Sequence, residues 1–246
     1  MKISGIVLSF NEQDKIQKCL QALKFTDEII LIDNGSKDQT VSIAKKNKAR
    51  IFTEKSNDFS RLRSLGARQA RFDWLLYIDA DEIVTEKLAA EIKKATTLKF
   101  SSYYLTRQNF YFNTSWPYQE KMIRLIKKDA LIGWRGQIHE TAIVKHAHGF
   151  LKNPLLHYTH DSLTRMVEKT NRWSAIEASL RIKANHPPVF SWRFFRVMAT
   201  SFWRVFIKQK GYRAGTVGLI ESIYQSFSIF ITYAKLWELQ NKKRKS

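Results

Sequence analysis

The sequence predicts an α/β protein built on a doubly wound, mostly parallel sheet and followed by an amphipathic, helical C-terminal region. Three observations predict this. Short apolar runs alternate with helix-period segments through the first hundred residues, the pattern of parallel strands joined by crossover helices. Each of the leading runs ends in a polar cluster that carries an acid. From residue 186 the chain turns basic and aromatic, with eleven Lys/Arg against Glu221 and Glu238, and thirteen of the 32 aromatic residues.

Taken in order, Ile3 to Phe10 is an apolar, β-branched run ending at Ser9-Phe10-Asn11-Glu12. Ile16, Cys19, Leu20 and Leu23 then repeat at helical spacing. Asp27 to Asp33 reads as a second strand, closed by Asn34-Gly35-Ser36-Lys37-Asp38, where Gly35 permits a tight turn. Residues 39–47 read as a helix, 49–53 as a third strand and 61–71 as another helix. Trp74 to Ile78 is apolar throughout, and the strand it forms ends at Asp79-Ala80-Asp81-Glu82. Thr85-Glu86-Lys87 opens the next helical pattern. Residues 102–112 and 118–126 read as strands, and a further strand lies near 134–143.

In a parallel sheet these strand ends share one edge, where ligands bind. Three carboxylates within four residues repel one another unless something compensates. A divalent cation, Mg2+ or Mn2+, is one compensation for hard oxygen ligands. A solvated turn capping the following helix is the other reading, since carboxylates are favourable at a helix N-terminus. Glu12 and Asp33 stand at the ends of the first two strands, and such an acid can accept both hydroxyls of a ribose. Asn11, Ser36 and Asp38 also suit helix capping.

Length and composition bound the rest. At 246 residues, 44 % of them hydrophobic, the chain fits one α/β domain with an appendage. The boundary expected from the His186-Pro187-Pro188 break divides a catalytic domain, 1–185, from a basic aromatic region, 186–246. Cys19 is the single cysteine, so an intrachain disulfide is excluded and a reducing compartment is expected. The short apolar N-terminal run passes straight into Asn11-Glu12, which is not a signal-peptide layout. A formal charge of +20 calls for an anionic partner: nucleic acid, anionic lipid or a phosphorylated ligand.

SFNE at 9–12, DNGSKD at 33–38 and DADE at 79–82, in this order and spacing, resemble the family 2 glycosyltransferases of GT-A fold. WLLYIDADE, RLIKK at 124–128, GWRGQIHE at 133–140 and the basic aromatic tail look closest to the lipopolysaccharide-core glucosyltransferase type. The resemblance spans at least residues 3–160. It implies transfer of a sugar, with inversion, from a nucleotide donor such as a UDP-hexose. Glu12 and Asp33 would contact uridine, and with Ser9, Asn11, Gly35, Arg63 and Asp79 they form the expected donor site. Asp79 and Asp81 would hold Mg2+ or Mn2+ against the diphosphate, with His157 as a third ligand of the kind some GT-A enzymes use, or else as a core histidine. Many members carry asparagine where Ser64 stands, beside the basic residue matched by Arg63. The glycine-rich, basic loop of nucleotidyltransferases is missing after the first strand.

Inverting transfer needs a base within reach of the acceptor hydroxyl. The resemblance places it at Glu140, with Trp134, Gly136 and His139 shaping the acceptor pocket; a structural ion pair is the other reading of Glu140. All six histidines lie between 139 and 186. His146-x-His148 and His157-x-x-His160 have no cysteine beside them and match no common zinc signature.

On a helix, Arg193, Arg196, Thr200, Arg204 and Lys208 fall on one side and Phe195, Met198, Phe202, Val205 and Phe206 on the other. That layout suits a helix lying in an anionic membrane interface, and equally one packing its aromatic side on the catalytic domain. Residues 216–239 are apolar, but Glu221 and Lys235 leave only thirteen residues between charges, against about twenty for a span. Lys242 to Lys245 would suit anionic headgroups. The expected partners are therefore a nucleotide sugar, a lipid-linked glycan and an anionic membrane, at the cytoplasmic face of a bacterial inner membrane. A soluble or protein acceptor is one alternative, and a basic nucleic-acid-binding protein is the more remote one. No nucleic acid is expected, because no recognised nucleic-acid module is visible.

Overall fold

The computed structural model describes residues 1–145 and 147–245, with side chains through Lys242. His146 and the side chains of residues 243–245, in the basic cluster, lie outside the described residues. The chain divides into two compact units, residues 1–108 with 119–157, and residues 109–118 with 158 onward.

In the first unit, β1 (Ile3–Ser9), β2 (Glu28–Asp33), β3 (Arg50–Thr53) and β4 (Trp74–Asp79) pair in parallel in the order β3-β2-β1-β4. Helices α1 (Ile16–Ala22), α2 (Thr40–Lys46) and α3 (Phe59–Gln69) connect them. A parallel strand buried on both faces carries a continuous apolar run, which is why Trp74 to Ile78 alternates nothing. Trp74, Leu76 and Ile78 face a core with Leu20 of α1 and Leu88 and Ile92 of α4 (Glu86–Ala95). Leu75 and Tyr77 face a second core with Ile6, Ile32 and Leu62 of α3. Local chemistry sets the helix starts: Asp58 accepts from the Arg61 amide at 3.2 Å, and Thr85 from the Leu88 amide at 3.2 Å.

The sheet continues from β4 through β7 (Thr114–Lys127), β6 (Ser102–Tyr111), β11 (Leu155–Thr159) and β5 (Glu82–Val84), while β10 (Gly149–Phe150) pairs with β6. Strand β7 runs antiparallel to β4, and β11 antiparallel to β5, so the sheet is mixed beyond its parallel half. The single strand expected near 134–143 is instead two short ones, β8 (Leu131–Arg135) and β9 (Thr141–Val144), paired as a separate ribbon. Gly136, at φ +100°, and His139, at φ +58°, turn the chain between them.

The second unit holds α5 (Leu163–Lys183), α6 (Ser191–Trp203), a π-helical turn at Arg204–Lys208 and α7 (Gly215–Lys245). The break at His186-Pro187-Pro188 ends α5 but does not divide the units, which part at Tyr158. Met166, Thr170, Ser174 and Ala178 make the buried side of α5, and Thr170 and Met166 both bond the Tyr224 hydroxyl of α7. Glu221 is buried, bonded to His160 Nδ1 at 2.8 Å and to Gln225 at 2.7 Å.

Helix α6 corrects the two-sided layout expected of it. Its inner stripe is Val197 and Ser201, continued by Val205 in the π-helical turn and packed toward α7. The large rings stay outside: Phe195 is 77 %, Trp203 57 % and Trp192 53 % exposed. The guanidiniums of Arg193 and Arg196 stack over the Trp192 ring at 5.0 and 5.3 Å. Arg196, Arg204 and Lys208 are exposed alongside. Among the described residues, no helix is long and apolar enough to cross a membrane.

Candidate active site at the carboxyl edge of the parallel strands

Strands β1 and β2 end side by side, with Ser9 opposite Asp33. The turns that follow are stitched together. Ser36 Oγ accepts from the Asn11 amide at 2.9 Å, Asn11 Oδ1 from the Lys37 amide at 2.8 Å, and Thr40 Oγ1 from the Glu12 amide at 2.8 Å. Asn11 can answer in this way because it sits at φ +54°, a region asparagine tolerates. Asp33 Oδ2 accepts from the amides of Gly35 and Ser36, both at 3.0 Å, and Oδ1 from Ser9 Oγ at 3.4 Å. Asp33 is thus a buried turn-former, and the expected donor residues Ser9, Asn11, Glu12, Asp33 and Gly35 form one framework. Asp38 stands one residue before the N-cap of α2, Gln39: burial pushes its carboxyl up, but bonds from Thr40 and from the Gln13 amide outweigh this and leave it below the usual range.

The acids after β4 are compensated mainly by arginine. Arg63 Nη2 donates to Asp79 Oδ1 at 3.0 Å, and Arg124 Nη2 to Asp79 Oδ2 at 2.7 Å. Burial would raise the Asp79 carboxyl, yet the Arg124 and Arg63 guanidiniums hold it well below the usual carboxylate range. Glu82 is fully buried, takes Arg107 at 3.2 Å and Arg124 at 3.5 Å, and accepts from the Asp79 amide at 2.8 Å. Burial works against the charge on Arg124, and Asp79 and Glu82 more than restore it. Beneath this edge, burial first and the neighbouring carboxylates second push the Cys19 thiol well up, so it stays protonated.

Asp81 points elsewhere. Its Oδ2 lies 3.1 Å from His157 Nε2, both side chains being 12 % exposed. The three expected metal ligands are therefore not brought together: both oxygens of Asp79 are bonded to guanidiniums, while Asp81 and His157 form a pair. Among the described residues, no group of three or more His, Cys, Asp or Glu is arranged to hold a metal. The Asp81 carboxylate is the kind of hard oxygen ligand that Mg2+ or Mn2+ takes, and His157 stands beside it. His157 and His160 do not face a common ion either, since His160 bonds Glu221 in the second unit.

Glu140 ends the turn between β8 and β9, and its Oε1 accepts from Arg63 Nε at 2.5 Å. The Phe59 amide donates to the Gln137 carbonyl at 3.0 Å, tying that turn to the start of α3. Gly136 is required there, because an added Cβ would meet the carbonyl oxygens of Ile138 and His139 at 3.3 Å with φ already at +100°. His139 is exposed. Trp134, expected in the acceptor pocket, packs edge-on to Tyr77 at 4.8 Å and under Arg63 at 5.1 Å. It packs beside Arg63, the partner of Glu140, rather than standing open.

Sequence reasoning missed Arg124 and Arg107 as partners of the acidic cluster. The available signal was the RLIKK motif, whose strand β7 lies beside β4, with Leu125 opposite Leu76.

Comparison with known proteins places the chain in a family. A family model described as Glycosyl transferase family 2 matches residues 4–157. An uncharacterized glycosyltransferase of Rickettsia typhi is 27 % identical over 262 residues, covering 99 % of this chain and 89 % of its own. The lipopolysaccharide core biosynthesis glycosyltransferase LpsC of Rhizobium meliloti is 21 % identical over 254 residues, covering 97 % and 93 %. Among solved structures, S. aureus TarS 1–349 in complex with UDP is 12 % identical with a TM-score of 0.47, covering 100 % of this chain and 92 % of that one.

Proposed function

We propose that this chain, which belongs to glycosyl transferase family 2, moves a hexose with inversion from a UDP-sugar to a lipid-linked glycan of the lipopolysaccharide-core kind. The observation that carries the reading is the single constellation at the carboxyl edge of β4: Asp79, Arg63 and Glu140 linked in series, with the Asp81–His157 pair beginning two residues on. The Ser9, Asn11, Glu12, Asp33 and Gly35 framework takes the nucleoside. A Mg2+ or Mn2+ ion would be held by Asp81 and His157, and when bound it supplies positive charge against the diphosphate. Glu140 is the base. The acceptor oxygen forms a bond to the anomeric carbon, its proton passes to the Glu140 carboxylate, and the bond from that carbon to the diphosphate oxygen breaks, so UDP departs with the electron pair. His139, exposed beside Glu140, lines the acceptor side.

The lipid-linked acceptor rests on the tail. Exposed Trp192, Phe195 and Trp203 lie among Arg193, Arg196, Arg204 and Lys208, which suits an anionic bilayer surface and a peripheral position on the cytoplasmic face of an inner membrane. The likeness to LpsC over nearly the whole chain agrees with a lipopolysaccharide acceptor.

A thermal-shift panel of UDP-, GDP- and dTDP-hexoses, with and without Mn2+, tests the donor. A ligand at a hundred times its Kd adds about 2.7 kcal/mol, and at roughly 2–4 °C per kcal/mol the expected rise is about 5–11 °C. The rise is expected for a UDP-hexose with Mn2+ and is expected to shrink in Asp81→Asn. No shift with any nucleotide sugar would overturn the reading.

A further inference from the structure

The family resemblance gives Arg63 one task, contact with the donor diphosphate. Its guanidinium does something more specific. Nε bonds Glu140 Oε1 at 2.5 Å and Nη2 bonds Asp79 Oδ1 at 3.0 Å, so one planar group spans the base and the donor-edge carboxylate. The side chain is 4 % exposed, lies 5.1 Å from the Trp134 ring and 5.8 Å from the Tyr77 ring, and cannot swing without leaving that wall. The Arg63 backbone is held too, since its carbonyl accepts from the Tyr77 hydroxyl at 3.2 Å. Nη1 is buried with no hydrogen-bond partner.

Glu140, by contrast, belongs to a turn. The bond from the Phe59 amide to Gln137 fixes the turn's backbone, but not the direction of a carboxylate three residues further on. A guanidinium fork orients its partner in a way a point charge does not. We infer that Arg63 is the positioning residue for Glu140: it aims the base carboxylate from Oε1, leaves Oε2 to take the acceptor proton, and registers the base to Asp79 on β4. The inference rests on Glu140 being the base. It also explains why a basic residue stands on the inward side of α3, where a diphosphate contact alone would not require a bond to the far loop.

The test uses the full chain with UDP-glucose, Mn2+ and water as acceptor, reading glucose release, together with UDP affinity by calorimetry. Glu140→Gln is expected to lose about 10²–10⁴-fold in kcat. Arg63→Ala is expected to lose about 10–10²-fold, the scale of a misplaced catalytic group, with KM and UDP affinity changed little. The decisive arm is the double variant: Arg63→Ala added to Glu140→Gln should slow the enzyme no further. Arg63→Lys keeps the charge without the fork and should also lose kcat, whether or not Arg63→Ala folds. Wild-type kcat in Arg63→Lys, losses that multiply in the double variant, or a fall in UDP affinity that matches the fall in activity would each overturn the inference. Wild-type kcat in Glu140→Gln would instead sink the base assignment itself.

Discussion

Arg124→Gln is the perturbation that best measures how the acidic edge is held. Arg124 lies 2.7 and 3.3 Å from the two oxygens of Asp79 and 3.5 Å from Glu82 Oε1, with 7 % of its side chain exposed. Removing one partner of a buried ion pair costs about 3–5 kcal/mol, because a charge is left buried without its counterion. Here both acids keep a second arginine, Asp79 at 3.0 Å from Arg63 and Glu82 at 3.2 Å from Arg107. Asp79 is also 28 % exposed, so water takes part of the load. The low end applies, about 3 kcal/mol, which at roughly 2–4 °C per kcal/mol is a fall of about 6–12 °C in Tm. Circular-dichroism melts in EDTA measure it. Buried pairs are screened little by salt, so the fall should persist in high salt. Arg165→Gln is the control: its pair with Asp161, at 3.4 Å, is exposed and spaced i,i+4, a class worth about 0.3–0.5 kcal/mol. An Arg124→Gln melt matching wild type, or a difference that salt removes, would refute the reasoning.

Glu28→Gln should carry a pH-dependent penalty. Burial pushes the Glu28 carboxyl up, but bonds from the Arg71 amide, Ser4 and Arg50 outweigh it and leave it below the usual range. A depressed folded value stabilises above the unfolded one, about 4.3, and that stability is lost as pH falls through the folded value. Urea unfolding at pH 7 should thus show a loss of about 1–3 kcal/mol that narrows in acid; an equal gap at both ends would contradict it. In the tail, Arg196, Arg204 and Lys208 changed together to glutamate should abolish flotation with vesicles containing anionic lipid, each basic residue near the surface being worth about 1 kcal/mol. UDP binding with Mn2+ should be retained, and flotation equal to wild type would refute the interfacial role of α6.

The parallel half of the sheet was legible because β1 and β4 are buried almost throughout, β2 carries a buried apolar run, and the crossover helices show apolar spacing. Residues 74–79 needed no partner strand to be recognised; their apolar run and the acids after it were enough. The β8–β9 ribbon was not legible. Its strands are short and half-exposed, with Ile132 and Ile143 pointing outward, so neither period-2 alternation nor an apolar run marks them. The compact units follow packing rather than the local break in the sequence. His186-Pro187-Pro188 is a strong local break, but domain membership follows packing, and α5 buries Thr170 and Ala178 toward α7 regardless of the break after it.

At the site, sequence order could name the acids but could not assign their partners. Three carboxylates in four residues have two ways to be neutralised, by a cation or by basic side chains, and the sequence of the motif is the same for both. In the structure the acids are met by basic side chains and divided by direction: Asp79 and Glu82 face arginines brought from α3, β6 and β7, while Asp81 faces His157 on β11. That division follows from strand geometry. Asp79 ends β4 and Glu82 opens β5, so both are fixed to the sheet, and neighbouring strands can supply guanidiniums to them. Asp81 lies in the turn between, where the backbone is free to aim its side chain away from that cluster. The two acids met by arginines hold the turn in place, and Asp81 between them is left to face His157.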